Sequence, residues 1–201
     1  MTPVERLWPD STVICIGSGP SLTTDDVAMC EGSRTIVTNN TYELAPWADA
    51  LFAADFRWWE RNPEARFFRG MKFSADRRAG THYPWVHTLK VANGAFDTRP
   101  DHICTGANSG HCAMHTAAHL GASRIILLGF DFGASDDGKW HWHADHPEQR
   151  PMKIDLWLRA MGELAVALHA RGIEVINASR RTAIPYFPRA PLHEVLCASV
   201  L

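Results

Sequence analysis

The stretch Thr12-Val-Ile-Cys-Ile-Gly-Ser-Gly-Pro-Ser-Leu22 constrains this chain more than any other. Its first five residues are mostly apolar and β-branched, the pattern of a strand buried on both faces of a parallel sheet. The run then breaks into small residues. Gly17 and Gly19 allow backbone conformations and close ligand approach that a Cβ would hinder. Pro20 fixes one φ, and Ser21 is a good N-cap for a helix that carries Asp25 and Asp26 early. Backbone N–H groups at such a turn, at the positive end of a helix, form a ready site for phosphate. An ordinary strand-to-helix connection explains the same residues. The segment is neither Gly-x-Gly-x-x-Gly nor a P-loop, since it lacks Gly-Lys-Ser/Thr, so it gives no ground for NAD binding or ATP cleavage.

Comparable apolar runs at 34–37, 50–53, 124–128 and 173–176 predict further strands. Helical patterns fall between most of them, at 21–30, 57–67, 109–120 and 152–170. The last carries Ile154, Trp157, Leu158, Met161, Leu164, Ala165 and Leu168 on one face. This alternation predicts an α/β, Rossmann-like fold, a mostly parallel sheet with helices on both faces, in a single domain over 1–201. Ligands of such sheets bind outside the carboxyl ends of the strands, which singles out the loops after Ile16, Val37, Ala53 and Leu128. Two long irregular segments, 75–107 and 130–151, interrupt the rhythm, and loops of that length are commonly functional. Residues 183–191, with three prolines, read as an extended tail.

Twenty Lys and Arg against 22 Asp and Glu leave no global attraction to a polyanion, so a nucleic-acid partner is not expected. Five cysteines without a Cys-x-x-Cys pair suggest reduced thiols and a cytoplasmic protein. No run of eighteen apolar residues predicts a membrane span. The apolar end of the chain, 195–201, suits packing on the core or on a second copy in a homo-oligomer.

Polar residues gather where the sheet's ligand edge belongs. Asn39 and Asn40 follow the second strand and suit a base or sugar, or simply a turn. Asp55 follows the third, where a helix N-cap explains it equally well. Asn108, Ser109 and Gly110 open a helix in a second phosphate-friendly turn. That helix carries His111, His115 and His119 on one side, with His111 expected beside the ligand and the other two packed or solvated. Asp131 ends the fourth strand, and His141, His143 and His146 follow with Trp140 and Trp142. A histidine there can act as general base, and the two indoles can stack on a base or sugar or pin the loop to the core. Three imidazoles within six residues also admit zinc, but loop spacing of this kind is weakly specific and no metal site is assigned.

Taken in chain order, Gly17-Ser-Gly-Pro-Ser-Leu22, Asn39, the strand end near Asp55, Asn108-Ser-Gly110, Leu128-Gly-Phe-Asp-Phe132 and the His-rich loop resemble the bacterial sialyltransferases of glycosyltransferase family 42. The Gly-x-Gly-Pro-Ser-Leu opening is also similar to that of uncharacterised phage proteins and of 6-hydroxymethylpterin pyrophosphokinases. The family-42 resemblance implies transfer of a glycosyl group from a CMP-sugar-like donor to a hydroxyl acceptor, with no obligatory metal or cofactor. It implies that Gly17, Ser18, Gly19, Pro20 and Ser21 hold the donor phosphate. Asn39, Ser109, Gly110, Asn177 and Ser179 would lie at the nucleotide, and His146, with His143 in reserve, would deprotonate the acceptor. The chain departs from that pattern at Ser18 and Asp55, where the family carries Asn. Trp140 and Trp142 stand where it has phosphate-binding tyrosines. Two other readings stay open: a Mg²⁺-dependent pyrophosphokinase-like enzyme using Asp55, Asp131 and Asp136, and a non-catalytic nucleotide-binding phage protein.

Overall fold

The computed structural model describes residues 3–143 and 153–197. Seven parallel strands form one sheet: β1 (Thr12–Ile16), β2 (Arg34–Thr38), β3 (Ala50–Phe52), β4 (Met71–Ser74), β5 (His87–Thr88), β8 (Arg124–Leu128) and β9 (Glu174–Asn177). Their order is β5-β4-β3-β2-β1-β8-β9, so the direction in which the sheet grows reverses between β1 and β8. Two further two-residue strands, β6 (Lys90–Val91) and β7 (His102–Ile103), pair with each other within the long segment after β5.

Strand side chains alternate between two buried layers, as period-2 geometry requires. Val13, Cys15, Ile36, Phe52, Ile125 and Leu127 face a core built with α4 (Ser109–Leu120) and α5 (Ile154–His169). Ile14, Ile16, Val37, Leu51, Ile126 and Leu128 face the opposite core. There lie α1 (Thr24–Ala28), α2 (Phe56–Arg61), α3 (Arg77–His82) and α6 (Leu192–Cys197). The expected mostly parallel α/β sheet, covered on both faces, is therefore the observed fold. Among the described residues no helix is long and apolar enough to cross a membrane. The cysteines are free thiols; burial holds the Cys15 and Cys112 thiols well above their usual range and Cys30 at about 12.

Several boundaries differ from expectation for identifiable reasons. The first helix begins at Thr24 rather than Ser21, because the Thr23 hydroxyl accepts from the Asp26 amide and caps it while Ser21 is engaged elsewhere. The pattern over 57–67 splits into α2 and a 3₁₀ turn, Pro63–Phe67, because Pro63 has no N–H to continue the ladder. Strand β4, with Lys72 on a half-buried stretch, lacks a plain apolar run. The segment over 75–107 is not wholly irregular, since it holds α3 and three two-residue strands.

Candidate functional site

A cavity of about 230 Å³ opens at the carboxyl ends of β1, β2, β3 and β8, beside the start of α4. From the sequence-selected residues it takes Gly17, Ser18, Gly19, Asn39, Asp55, Asn108, Ser109, Gly110 and Asp131. Thus five separate loops, up to 114 positions apart from Gly17 to Asp131, converge where the topology reverses.

The turn after β1 is built differently from an open anion cradle. Gly17 N–H donates to Leu128 O at 2.7 Å and Gly19 N–H to Gly129 O at 2.8 Å. Ser21 gives both its N–H (2.8 Å) and its hydroxyl (2.9 Å) to the Asp131 carboxylate. Four donors that could have faced a phosphate are therefore spent on the end of β8 and the loop after it. The glycines follow from the same packing. A Cβ on Gly17 would lie 2.5 Å from Gly129 O, and one on Gly19 would collide with the Asp131 carboxylate. Neither glycine adopts positive φ, so close approach rather than backbone freedom explains them. Helix α1 is only five residues long and is capped at Thr23, so Ser21 is not its N-cap. Helix α4 is the stronger anion-facing element: the Asn108 side chain accepts from His111 N–H at 2.8 Å. Helix geometry leaves the Ser109 and Gly110 amides without intrahelical acceptors.

The opposite side of the cavity is braced by cross-links. Ser109 Oγ donates to Asn39 Oδ1 and accepts from Ala54 N–H, both at 3.2 Å, tying α4 to the ends of β2 and β3. Asn39 (φ 48°), Ala107 (φ 58°) and Phe132 (φ 53°) are three of the four non-glycine residues with positive φ among those described, and all three line the cavity. Strained backbone of this kind costs about 1–3 kcal/mol per residue and concentrates where a binding surface is shaped. Asp55 occupies the N-cap position of α2, yet its side chain makes no capping bond, so its exposed carboxylate is left for the cavity. Asp131 is buried, and burial raises its carboxyl above the usual range; the Ser21 bonds and the Arg181 charge pull the other way.

Other sequence-selected residues lie outside the lining. Pro20 and Ser21 are not part of it. Asn40 turns outward to Trp58 Nε1 at 2.8 Å and Glu43 at 3.0 Å. Asn177 and Ser179 are buried braces. Asn177 Oδ1 accepts from Ser179 N–H, and Ser179 Oγ accepts from Phe130 N–H at 2.8 Å. Asn177 Nδ2 donates to Thr182 Oγ1, which donates onward to Phe130 O at 2.7 Å. Both backbone groups of Phe130 are thus clamped, which positions Asp131 next to it. His111 does not line the cavity but is buried under Gly106, where burial pushes its imidazole down to about 4. His115 accepts from Cys104 N–H at Nδ1, which assigns the proton to Nε2 and its bond to Asp97 O. Burial lowers its imidazole to about 3. His119 bonds His102 O.

The His/Trp loop, marked in the sequence without a ranking of its histidines or its indoles, divides between lining and anchor. Trp140 and His141 line the cavity, with Phe130, Phe132, Ile154 and Trp157. Trp142 pins the loop: its N–H donates to Ser18 O at 3.1 Å and its indole Nε1 to Thr41 Oγ1 at 3.2 Å. His143 stacks behind His141, with ring centroids 5.1 Å apart, and is not itself in the lining. His146 and Asp145 lie outside the described residues. Among the described residues no group of three or more His, Cys, Asp and Glu side chains is placed to hold a metal ion.

No family model matches the chain, and no curated protein matches it. Among solved structures it is similar to the MAf glycosyltransferase from Magnetospirillum magneticum AMB-1, with a TM-score of 0.67 at 15% identity over 96% of this chain. The match spans only 35% of that longer protein. It is also similar to the sialyltransferase CstII from Campylobacter jejuni, solved in complex with a substrate analogue, cytidine-5'-monophosphate. That TM-score is 0.58 at 13% identity, covering 92% of this chain and 86% of the other. At such identities the likeness is one of fold.

Proposed function

We propose that this chain is a transferase that moves a glycosyl group from a nucleotide-activated donor to a hydroxyl acceptor, with the nucleotide seated in the cavity at the sheet's carboxyl edge. The observation that carries the reading is the position of that cavity. It lies at the point where strand order reverses between β1 and β8, the crevice in which open α/β sheets bind ligands. The fold shared with two glycosyltransferases, one solved with cytidine-5'-monophosphate, supports the same reaction class.

Charge narrows the donor. Among the described residues the cavity is lined by Asp55 and Asp131 and by no Lys or Arg, so multiply charged phosphates meet little compensation from them. A sugar activated by a single phosphodiester, as in a CMP-sugar, brings one negative charge, which the Ser109 and Gly110 amides can receive. Asn39, whose Oδ1 is taken by Ser109, has its amide nitrogen to offer as a neutral donor to the base or ribose, and Trp140 an apolar face.

His141, the histidine in the described lining, is the proposed acceptor base, held by its stack on His143. With a panel of CMP-, UDP- and ADP-sugars, turnover is expected with the CMP donor. His141→Ala should then lower kcat by about 10²-fold or more. Full turnover in His141→Ala, with loss in His146→Ala, would move the base beyond the described residues. Absence of turnover across the panel would remove the transfer reading.

The presence of two carboxylates in one lining favours one second reading, a divalent-cation-dependent phosphoryl transfer in which Asp55 and Asp131 would hold the ion. Loss of activity in EDTA, restored by Mg²⁺, would select it.

A further inference from the structure

A second and larger cleft, of about 620 Å³, lies between α1 and the chain following β9. Arg180 is held by Asp26, Nε to Oδ2 at 2.6 Å and Nη2 to Oδ1 at 2.9 Å. Arg189 Nη2 donates to the carbonyls of Ser179 (3.0 Å) and Arg180 (3.1 Å). Each guanidinium is therefore fixed by two bonds on one side, and each keeps three of its five N–H groups for another acceptor. The buried Asp26 carboxylate cancels one of the two charges, and its ionised form is favoured by the same contact. His193 adds a third nitrogen donor at the rim, only loosely drawn to Glu194 at 3.9 Å. Met29, Ala178, Pro191 and Leu192 make the rest of the wall apolar.

We propose that this cleft binds a small molecule that joins an apolar body to an anionic oxygen head, carboxylate or phosphate monoester, with the head on Arg180 and Arg189 and the body on Met29 and Leu192. Two oriented forks beside an apolar wall match that combination of groups, whereas the cavity described above offers carboxylates and amides. The proposal does not depend on the transfer reading.

Titration calorimetry with phenyl phosphate and with 3-phenylpropionate identifies which head is taken, and inorganic phosphate serves as a head without a body. At least one aromatic anion is expected to bind, and to bind more tightly than inorganic phosphate. In ¹H–¹⁵N spectra its shifts should fall on residues 178–180, 189, 190, 192 and 193. Arg189→Gln, which retains a donor for the two carbonyls, should weaken binding about tenfold or more, and the exposed His193→Gln should weaken it less. Trp140→Ala, in the other cavity, should leave the affinity unchanged. The proposal is overturned if neither aromatic anion binds, if shifts fall on residues 17–19 and 108–110, or if both Arg189→Gln and His193→Gln keep full affinity. Equal affinity for inorganic phosphate would overturn the assignment of an apolar body.

Discussion

Replacing Gly19 by alanine is expected to destabilise the fold by about 3 kcal/mol, the upper range for overpacking once the Ser21 bonds to Asp131 are disturbed as well. The new methyl group would meet the Asp131 carboxylate and the Gly129 carbonyl, both held in place by the clamp on Phe130. Gly17→Ala should follow closely, since its Cβ would sit 2.5 Å from Gly129 O. Gly133 supplies the control within the same cavity lining. A Cβ there meets nothing nearer than 3.9 Å and its φ is ordinary, so Gly133→Ala should change stability by less than about 0.5 kcal/mol. Urea unfolding of the three variants separates two explanations of the motif. If Gly19→Ala is as stable as the parent and only ligand binding suffers, the glycines serve ligand approach and not the joining of two sheet-edge loops.

A second large effect is expected from acid. His111 and His115 are buried and neutral, their imidazoles lowered from 6.5 to about 4 and about 3 by loss of solvent. Below about pH 6.5 the unfolded chain binds a proton at each, while the folded chain refuses it until near pH 4 or lower. Through that window the unfolded state holds more protons, so stability rises with pH and is lost as pH falls. For His111 alone the loss approaches about 3 kcal/mol by pH 4, at 1.4 kcal/mol per pH unit. The carboxylates contribute elsewhere. Asp97 and Asp101 are lowered by their partners Arg99, Lys90 and His102, so their stabilisation is lost only below about pH 4. Asp131, raised by burial, acts in the opposite sense. Urea midpoints at pH 7.5, 6.0, 5.0 and 4.5 should fall progressively, and neither imidazole should titrate above pH 5 in spectra of the folded protein. A flat stability profile, or an ordinary imidazole titration near 6.5, would contradict the buried placement.

Much of this architecture is legible in the residues themselves. β1 and β8 are continuous apolar runs because both sheet faces are covered, and α4 is framed by Asn108 before it and Gly121 after it, in left-handed conformation. Those elements match their sequence-based bounds. Short elements do not announce themselves: β5, β6 and β7 have two residues each and carry no period. The cavity lining was legible where local chemistry marks a strand end, at Asn39, Asp55 and Asp131, or a helix start, at Asn108–Gly110. It was illegible where the decisive partner lies far along the chain. Ser21 reads as a helix cap, and only the fold brings Asp131 to it across 110 positions. Asn177 and Ser179 likewise read as ligand contacts, while the structure commits them to Phe130. His141 stood among three histidines of one loop, and nothing in the spacing separates it from its neighbours. Its place in the lining follows from Trp142, which is anchored at Ser18 and Thr41.

The central claim is that the cavity at the β1/β8 reversal is the nucleotide seat. A ¹H–¹⁵N titration with CMP tests it most directly, with UMP and AMP as comparisons. The expected result is a saturable shift for CMP at residues 17–19, 39, 108–110 and 129–133, together with the indole N–H of Trp140. Shifts confined to the Arg180–Arg189 cleft, or no saturable shift with any of the three nucleotides, would contradict it.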